Sequence, residues 1–479
     1  MSIVNKKTKI ICTIGPASSD KETLIALVEA GMNAARMNFS HGDHEEQKGK
    51  FDTVKEIRTE LGVPVAIVLD TKGPEIRTEK FKNGKAELIK DSEFVISFDG
   101  SEGDATGCSA TYPDLVNDVK IGDKILIDDG LIGLTVTAVR DGKIITNIDN
   151  GGEVKNNKSI NLPGTHINLP SLTEKDKNDI AFGIKQDIDF VAASFTRSGE
   201  DVARLRAFLD GNGGREVRII SKVENIEGVE NIDEIISLSD GVMVARGDLG
   251  VEIAPELVPN VQKEIIAKCN KAGKFVVTAT QMLDSMMRNP RPTRAEVGDV
   301  ANAIYDGTDC VMLSGETANG DYPLEAVTMM SKICQVTESD IDYDKHVQRR
   351  RSELENSTTN AIGLSACRCA ESLNARAIIA PTTSGHTAAI MSSFRPSAPV
   401  LGFATSDSVV RKLVLNWGVK PFYCQYMDNT EAFFSQVIDI AVQHGELEEG
   451  DNVILTVGLP LGVGGKTNTV RIHTVGKGI

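Results

Sequence analysis

Short apolar runs alternate with segments of helical periodicity in two long parts of the chain, 9–70 and 170–339. Apolar runs of this length predict buried strands, and the segments between them predict helices. The predicted strands are 9–15, 34–40, 64–70, 189–195, 218–224, 241–248, 275–280 and 310–315. The predicted helices lie around 20–30, 43–61, 174–186, 199–210, 227–238, 256–272, 293–305 and 323–339. Eight such units close a parallel barrel, so we predict an α/β fold built on a (β/α)8 TIM barrel, with an open doubly wound sheet as the competing architecture.

The part between Asp70 and Pro170 differs, because its short β-like runs are separated by dipeptides that are typical of hairpin turns. These dipeptides are Asn83-Gly84, Asp129-Gly130, Asp141-Gly142 and Gly151-Gly152. They predict a small antiparallel β domain, an inserted small β-barrel, after the third barrel strand. An insertion at that point overhangs the mouth of the barrel.

A polar, charge-rich segment over 340–357 predicts a domain boundary. From about Thr358, helical segments alternate again with apolar runs, which predicts a separate C-terminal α/β domain. We therefore divide the chain into a first part of the barrel (1–70), an inserted β lid (71–169), a second part of the barrel (170–344) and a C-terminal α/β domain (345–479).

Composition and charge narrow the classes of function. The 479 residues include 52 Lys and Arg against 68 Asp and Glu, a net charge of −16, which argues against nucleic-acid or membrane-surface binding. The eight cysteines form no C-x-x-C pair, so we expect buried free thiols in a reducing cytoplasm. The uncharged stretch 377–394 contains Pro381 and Gly385, which argues against a transmembrane helix.

Charged and polar side chains collect at the predicted carboxyl ends of the barrel strands, where barrel enzymes carry their active sites. Alternation along strands predicts that Lys222 shares a face with Glu224, and Arg246 with Asp248. The other residues at these ends are Arg36, Asn38, Ser40, Asp70 and Thr280. A single charge at a strand end is as often a rim salt bridge, but so many at five ends favour a site.

The chemistry of this set favours phosphate and a hard cation. Glu224 and Asp248, without His or Cys nearby in the sequence, suit Mg²⁺ or Mn²⁺ held together with substrate oxygens. Lys222 could neutralise charge on a transferring phosphoryl group or act as an acid or base, and Arg36 could clamp a phosphate. The seven histidines form no zinc-ligand spacing.

A second candidate site is the loop 382–387 of the C-terminal domain, which follows a strand and opens a helix. It comprises Thr382, Thr383, Ser384, Gly385, His386 and Thr387. Free N–H groups and hydroxyls there could bind an anion, although helix starts also carry Ser, Thr and Gly simply as caps.

Five long motifs follow one another along the chain: NFSHG (38–42), LDTKGPEIRT (69–78), IISKVENIEGVENIDEI (219–235), MVARGDLGVEI (243–253) and LSGETA (313–318). The third is similar to the signature of the pyruvate kinase family, and the others accompany it in the family's order. The chain therefore resembles this family. The resemblance covers essentially the whole chain and is to bacterial members without an additional C-terminal domain. It implies a homotetrameric glycolytic enzyme that moves a phosphoryl group from phosphoenolpyruvate to ADP.

The resemblance also implies catalytic roles. Lys222 would be the transition-state cation, Glu224 and Asp248 the protein ligands of Mg²⁺, and Arg36 a contact of the transferring phosphate. Thr280, with the backbone around Gly247 and Asp248, would hold the substrate carboxylate. Thr280, or water near it, would relay the proton that converts the enolate to pyruvate.

Further roles that the resemblance implies concern the monovalent cation, the nucleotide and regulation. K⁺ would lie on Asn38, Ser40, Asp70 and the carbonyl of Thr71. Arg77 and Lys158 would contact the nucleotide phosphates, and Glu75 is similar to the residue of K⁺-dependent members, so we predict K⁺ dependence. The loop 382–387, with 458–469, resembles an allosteric phosphate pocket, whose effector could be a sugar bisphosphate, a sugar monophosphate with AMP, or none.

Two alternatives remain at this level. One is a different Mg²⁺-dependent barrel enzyme acting on pyruvate-like enolates, such as an aldolase; the inserted lid and the DTKGPEIRT turn (70–78) argue against it. The other is a metabolite-sensing protein that has lost catalysis, against which Lys222, Glu224 and Asp248 argue.

Overall fold

The computed structural model describes residues 4–353, 356–461 and 467–478. Its centre is a closed barrel of eight parallel strands, in which each strand pairs with the next one along the chain and the last pairs with the first. Barrel strands one to eight are Lys9–Thr13, Ala34–Asn38, Ala66–Asp70, Phe190–Ala193, Arg218–Val223, Gly241–Ala245, Phe275–Ala279 and Cys310–Leu313. The predicted (β/α)8 barrel is therefore confirmed, and the open sheet is excluded.

Helices surround the barrel and connect its strands. They are Lys21–Glu29, His44–Leu61, Glu174–Lys185, Gly199–Gly211, Ile226–Glu230, Ile232–Leu238, Arg246–Glu252, Val258–Ala272, Arg294–Asp306, Gly315–Ala318 and Pro323–Asp340, with 3₁₀ turns at Pro255–Leu257 and Asp284–Met287. Alternate strand residues face two cores, because side chains of a strand point to opposite sides. Val68 and Met243 lie in the cluster inside the barrel, and Ile67 and Leu69 pack outward against the helices.

Two predictions within the barrel need correction. The segment 241–248 is a strand only to Ala245, and Arg246–Glu252 is a helix, so Arg246 and Asp248 do not share a strand face. The single helix predicted over 227–238 is two helices that meet at Asn231. The Asn231 side chain donates to the carbonyl of Arg197 (2.9 Å), which fixes the bend between them.

The inserted lid is a curled sheet. In spatial order its strands are Ile76–Arg77, Ser159–Asn161, Lys124–Ile127, Ile132–Arg140, Lys143–Asn150, Glu93–Ser97 and Gly107–Ser109, and Lys85–Leu88 pairs separately with Gly152–Lys155. Backbone bonds from Glu79 N to Ser109 O (2.8 Å) and from Thr111 N to Arg77 O (3.0 Å) join the two outer strands, so the sheet closes on itself. A short helix, Leu115–Asp118, and a 3₁₀ turn, Lys82–Gly84, complete the lid.

Two of the four predicted hairpin turns are correct. Asp129-Gly130 and Asp141-Gly142 each join paired antiparallel strands, with positive φ at all four residues, as such tight turns require. Asn83-Gly84 and Gly151-Gly152 instead lead into the two strands of the separate pair, so neither closes a hairpin. The lid also has one parallel pairing, between Glu93–Ser97 and Gly107–Ser109, where the sequence predicts only antiparallel ones.

The C-terminal domain is an α/β layer built on one five-stranded sheet. Its strands, in spatial order, are Val419–Tyr423, Val400–Ala404, Ala377–Thr382, Asn452–Val457 and Thr469–Thr474, of which only the last is antiparallel to its neighbour. Its helices are Thr358–Ser372, His386–Ser393, Asp407–Leu413 and Thr430–Gln443. The polar segment before it contains the helix Tyr343–Glu353.

The cysteines agree with the expectation of buried free thiols. All eight cysteines are free, and seven are buried. Among the described residues, no helix is long and apolar enough to cross a membrane.

Candidate active site

A buried ion cluster lies at the carboxyl end of barrel strand three. Asp70 accepts a hydrogen bond from Arg36 Nε at 2.5 Å through Oδ2 and one from Lys222 Nζ at 3.1 Å through Oδ1. Arg36 also donates to the hydroxyl of Thr13 (2.8 Å), and Lys222 Nζ donates to Ser194 Oγ at 2.7 Å. The carboxyl ends of the first five barrel strands thus each place one polar side chain in this cluster.

Electrostatics keep this cluster ionised. Burial alone would raise the pKa of Asp70, but Arg36 and Lys222 hold that pKa below its usual value. Burial opposes the charge of Lys222 as well, yet Asp70 and Glu224 raise the pKa of its ammonium group above the usual value. Lys222 is therefore a fixed positive charge rather than a proton donor near neutral pH.

Two carboxylates extend the cluster toward the mouth of the barrel. Glu224 Oε1 lies 2.8 Å from Lys222 Nζ, as expected from their alternation, and Glu224 Oε2 accepts the backbone N–H of Phe195 (2.6 Å). Burial raises the pKa of Glu224, and the neighbouring charge of Asp248 raises it further. Burial also raises the pKa of Asp248.

A buried carboxylate, Glu224, and a half-buried one, Asp248, whose negative charges oppose one another, fit a divalent cation with oxygen ligands. Within the described residues, no group of three or more His, Cys, Asp or Glu side chains could hold a metal by itself. Glu224 and Asp248 would therefore form only part of a ligand set, which substrate and water oxygens would have to complete.

The residues predicted to hold the substrate carboxylate lie next to one another. Thr280 Oγ1 accepts the backbone N–H of Gly247 (2.8 Å), which joins the ends of strands six and seven next to Asp248. Thr280 has a φ of +66°, a conformation that a β-branched residue adopts only at a cost of about 1–3 kcal/mol. Strain of this kind is characteristic of functional sites.

The residues predicted to bind K⁺ lie at or just after the ends of strands two and three, beside the same cluster. Asn38 lies opposite Asp70 in the pairing of strands two and three, and Asn38 Oδ1 accepts the backbone N–H of Ser40 (3.0 Å). The Thr71 carbonyl accepts a hydrogen bond from Ser194 Oγ (2.7 Å). The set offers carboxylate, amide, hydroxyl and carbonyl oxygens, which suit a hard monovalent cation.

A cleft of about 240 Å³ separates the lid from the barrel mouth. Arg77, Lys158, Glu75 and Asp248 all line it. Arg77 Nε donates to Glu75 Oε2 (2.9 Å), and Glu75 raises the pKa of Arg77 through this bond. Lys158 Nζ lies 2.7 Å from Asp128 Oδ1. Both cations therefore face the cleft while paired with carboxylates, which an anionic ligand would have to displace.

The second candidate site lies far from this cluster. Thr382 ends a strand of the C-terminal domain, and its hydroxyl accepts the N–H of Gly385 (2.9 Å), whose φ is +90°. Thr383, Ser384 and His386 are exposed. Thr387 Oγ1 lies 3.0 Å from Thr467 Oγ1, which joins the loop to part of the predicted partner segment. Residues 462–466 of that segment lie outside the described residues.

Comparison with known proteins identifies the family. The family model for the pyruvate kinase barrel domain matches residues 5–327, and that for the pyruvate kinase alpha/beta domain matches 360–473. The chain belongs to the pyruvate kinase family. It is 52% identical to the pyruvate kinase of Clostridium acetobutylicum over 98% of this chain and 100% of that one. It is 50% identical to that of Geobacillus stearothermophilus over 98% of this chain and 81% of that one.

The fold agrees with this assignment. A crystal structure of a pyruvate kinase from Cryptosporidium parvum superposes with a TM-score of 0.93 at 42% identity, covering 98% of this chain and 96% of that one. The family match spans barrel, lid and C-terminal domain together, so the aldolase alternative is excluded as the family of this chain.

Three residues of this cluster could not be predicted from the sequence. Ser194 contacts Lys222, Asp70 and Thr71, yet strand four ends in an uncharged A-S-F run that carries no chemical signal. Thr13, the partner of Arg36, sits at the end of strand one in the same way. Phe195 contributes only its backbone N–H, at a positive φ of 53°. Including uncharged hydroxyl residues at or just after each strand end would have found Thr13 and Ser194.

Proposed function

We propose that this chain catalyses phosphoryl transfer from phosphoenolpyruvate to ADP, giving pyruvate and ATP, at the cluster of Arg36, Lys222, Glu224 and Asp248. Its membership of the pyruvate kinase family supports the reaction. The single observation that supports the location best is Lys222, a buried cation within 3.1 Å of two carboxylates at the barrel mouth.

The first step breaks the bond between phosphorus and the enol oxygen and forms a bond between phosphorus and a β-phosphate oxygen of ADP. Such transfers need little covalent help and mainly require positioned positive charge around the phosphoryl oxygens. Lys222 and Arg36 supply that charge, and their bonds to Asp70 fix both side chains before substrate binds.

A divalent cation, Mg²⁺ or Mn²⁺, would be held by Glu224 and Asp248 and would supply Lewis-acid stabilisation of phosphoryl and enolate oxygens. K⁺ would be held by Asn38, Ser40, Asp70 and the Thr71 carbonyl. Glu75 supports this second cation, because it resembles the residue of K⁺-dependent family members, whereas other members carry a lysine there that supplies the positive charge internally. We therefore expect the reaction to depend on K⁺.

The second step places a proton on the methylene carbon of the enolate, which gives the methyl group of pyruvate. The Thr280 hydroxyl accepts the Gly247 backbone N–H, and it would hold the substrate carboxylate and relay the proton, directly or through water. The nucleotide phosphates would lie in the lid cleft, where Arg77 and Lys158 would exchange their carboxylate partners for phosphate oxygens.

Three further features belong to the same proposal. The lid closes over the nucleotide and excludes water. The loop 382–387 of the C-terminal domain binds a phosphorylated effector, a sugar phosphate or AMP. The enzyme is a cytoplasmic homotetramer, and light scattering that gave the mass of a monomer would contradict that assembly.

The test is pyruvate formation from phosphoenolpyruvate and ADP by the purified chain. We expect turnover that needs Mg²⁺ or Mn²⁺ and falls when K⁺ is replaced by tetramethylammonium at equal ionic strength. No turnover, with sugar phosphates and AMP also tried, would refute the proposed reaction. Equal rates with the two monovalent cations would refute only the K⁺ site.

A further inference from the structure

We propose that Arg246 is a positioning residue, which holds Thr280 and Gly247 in the arrangement that binds the substrate carboxylate and delivers the proton to the enolate. The inference rests on the proposed function. It adds a residue whose side chain takes no part in the site described above and whose neighbour, Gly247, is part of it.

The Arg246 guanidinium binds the end of strand seven and the loop that follows it. Nη2 donates to the carbonyl of Thr280 (2.7 Å) and contacts Met282 Sδ (2.8 Å), and Nε donates to the carbonyl of Ala279 (3.2 Å). Three contacts with three closely spaced residues fix the path of the backbone through Thr280. A planar fork is the group that can bind such a set at once.

The second part of the argument is strain. Thr280 and Gln281 have φ values of +66° and +53°, and two successive non-glycine residues in the left-handed region are stable only when their surroundings hold them. The bond from Arg246 to the Thr280 carbonyl supplies a holding contact from outside the loop. The bond from Gly247 N to Thr280 Oγ1 supplies a second one. The two loops thus fix one another through adjacent residues.

The Arg246 guanidinium is also held by two side chains outside the Thr280 loop. Nη1 donates to both carboxylate oxygens of Asp299 at 2.7 Å and to Gln262 Oε1 at 3.3 Å. The Asp299 side chain is 37% exposed, so it can be solvated if Arg246 is replaced. Replacement should therefore disturb the Thr280 loop more than it destabilises the fold.

The test compares Arg246→Lys with Arg58→Lys. Arg58 is a matched control, because its guanidinium is similarly buried and also binds a carbonyl, that of Val65 (2.5 Å), and a carboxylate, that of Asp189 (3.0 Å). The contacts of Arg58 lie just before strands three and four, at the end of the barrel opposite the candidate active site. Both variants lose the fork and keep the charge.

We expect kcat/KM for phosphoenolpyruvate to fall roughly 10- to 100-fold in Arg246→Lys, the range for a small misplacement of a reacting group. Exchange of the pyruvate methyl protons with deuterated water should fall with it, while the KM for ADP stays unchanged. Amide hydrogen exchange should accelerate in 246–252 and 279–283. Arg58→Lys should change none of these, whatever its thermal midpoint.

The proposal is overturned if Arg246→Lys keeps wild-type kinetics for phosphoenolpyruvate, or if both variants lose activity in proportion to their thermal stability. It is also overturned if the KM for ADP rises as much as that for phosphoenolpyruvate. If the wild-type chain shows no turnover, the proposed function is refuted. Amide hydrogen exchange then still decides whether Arg246 holds the two loops.

Discussion

Replacing Asp70 by asparagine tests how the ion cluster is held together. Asp70 is 1% exposed and binds Arg36 at 2.5 Å and Lys222 at 3.1 Å. At an effective dielectric constant of about 20, each attraction is on the order of 5 to 7 kcal/mol, and most of it offsets the desolvation of the charges. An asparagine can accept from one of the two cations but presents N–H groups to the other.

We expect a net loss of about 3–5 kcal/mol, as when one partner of a buried ion pair is removed. At about 2 °C per kcal/mol for a large domain, the thermal midpoint of the barrel should fall by about 6–10 °C. Turnover should fall at least about 100-fold, because Arg36 and Lys222 lose the group that orients them. The assays are thermal unfolding and pyruvate formation at a temperature below both midpoints.

The matched control is Asp189→Asn at the other end of the barrel. Asp189 is fully buried and also binds two cations, Arg58 at 3.0 Å and Arg411 at 2.6 Å. Its replacement should lower the thermal midpoint comparably and leave turnover intact. An Asp70→Asn variant with wild-type turnover, or two variants with equal losses of turnover, would refute the argument that Asp70 organises the reacting cations.

Two further predictions follow from the same contacts. Ser194→Ala should lower the free energy of unfolding by about 1–3 kcal/mol, because the Thr71 carbonyl loses its hydroxyl partner. It should reduce turnover far less than loss of Lys222 does, because Ser194 only orients the lysine. A loss of turnover equal to that in a Lys222 variant would contradict this orienting role. Burial, with the nearby charge of Lys6, lowers the pKa of Lys9 to about 7, so the unfolded chain binds an extra proton between about pH 7 and 10.5. The thermal midpoint of wild type relative to Lys9→Met should therefore fall as the pH drops from 10 to 7, and a constant difference would contradict the lowered pKa.

The barrel and the core of its site could be predicted from the sequence because their signals are local. Eight apolar runs mark the strands, and the parallel topology brings their ends together, so the meeting of Lys222 with Glu224 and of Arg36 with Asp70 follows. The family motifs then suggest a role for each residue.

Features that depend on contacts between distant residues could not be predicted. Arg246 and Asp248 alternate as if on a strand, but a helix begins at Arg246, whose guanidinium binds Asp299 and the Thr280 carbonyl instead of sharing a strand face with Asp248. Asn83-Gly84 and Gly151-Gly152 are hairpin dipeptides by composition, and only strand pairing decides that they close no hairpin. Ser194 belongs to the cluster because it contacts Lys222 and Thr71, which lie 28 and 123 residues away along the chain.

The central claim is that Lys222 supplies the positive charge for phosphoryl transfer, and one comparison tests it most directly. Lys222→Met and Lys9→Met both remove a buried lysine from a barrel strand, the first at the mouth and the second at the opposite end, where Lys9 Nζ donates to the Val419 carbonyl (2.7 Å). Pyruvate formation from phosphoenolpyruvate and ADP should fall at least about 100-fold in Lys222→Met and persist in Lys9→Met. Turnover by a folded Lys222→Met protein at the wild-type rate would contradict the account.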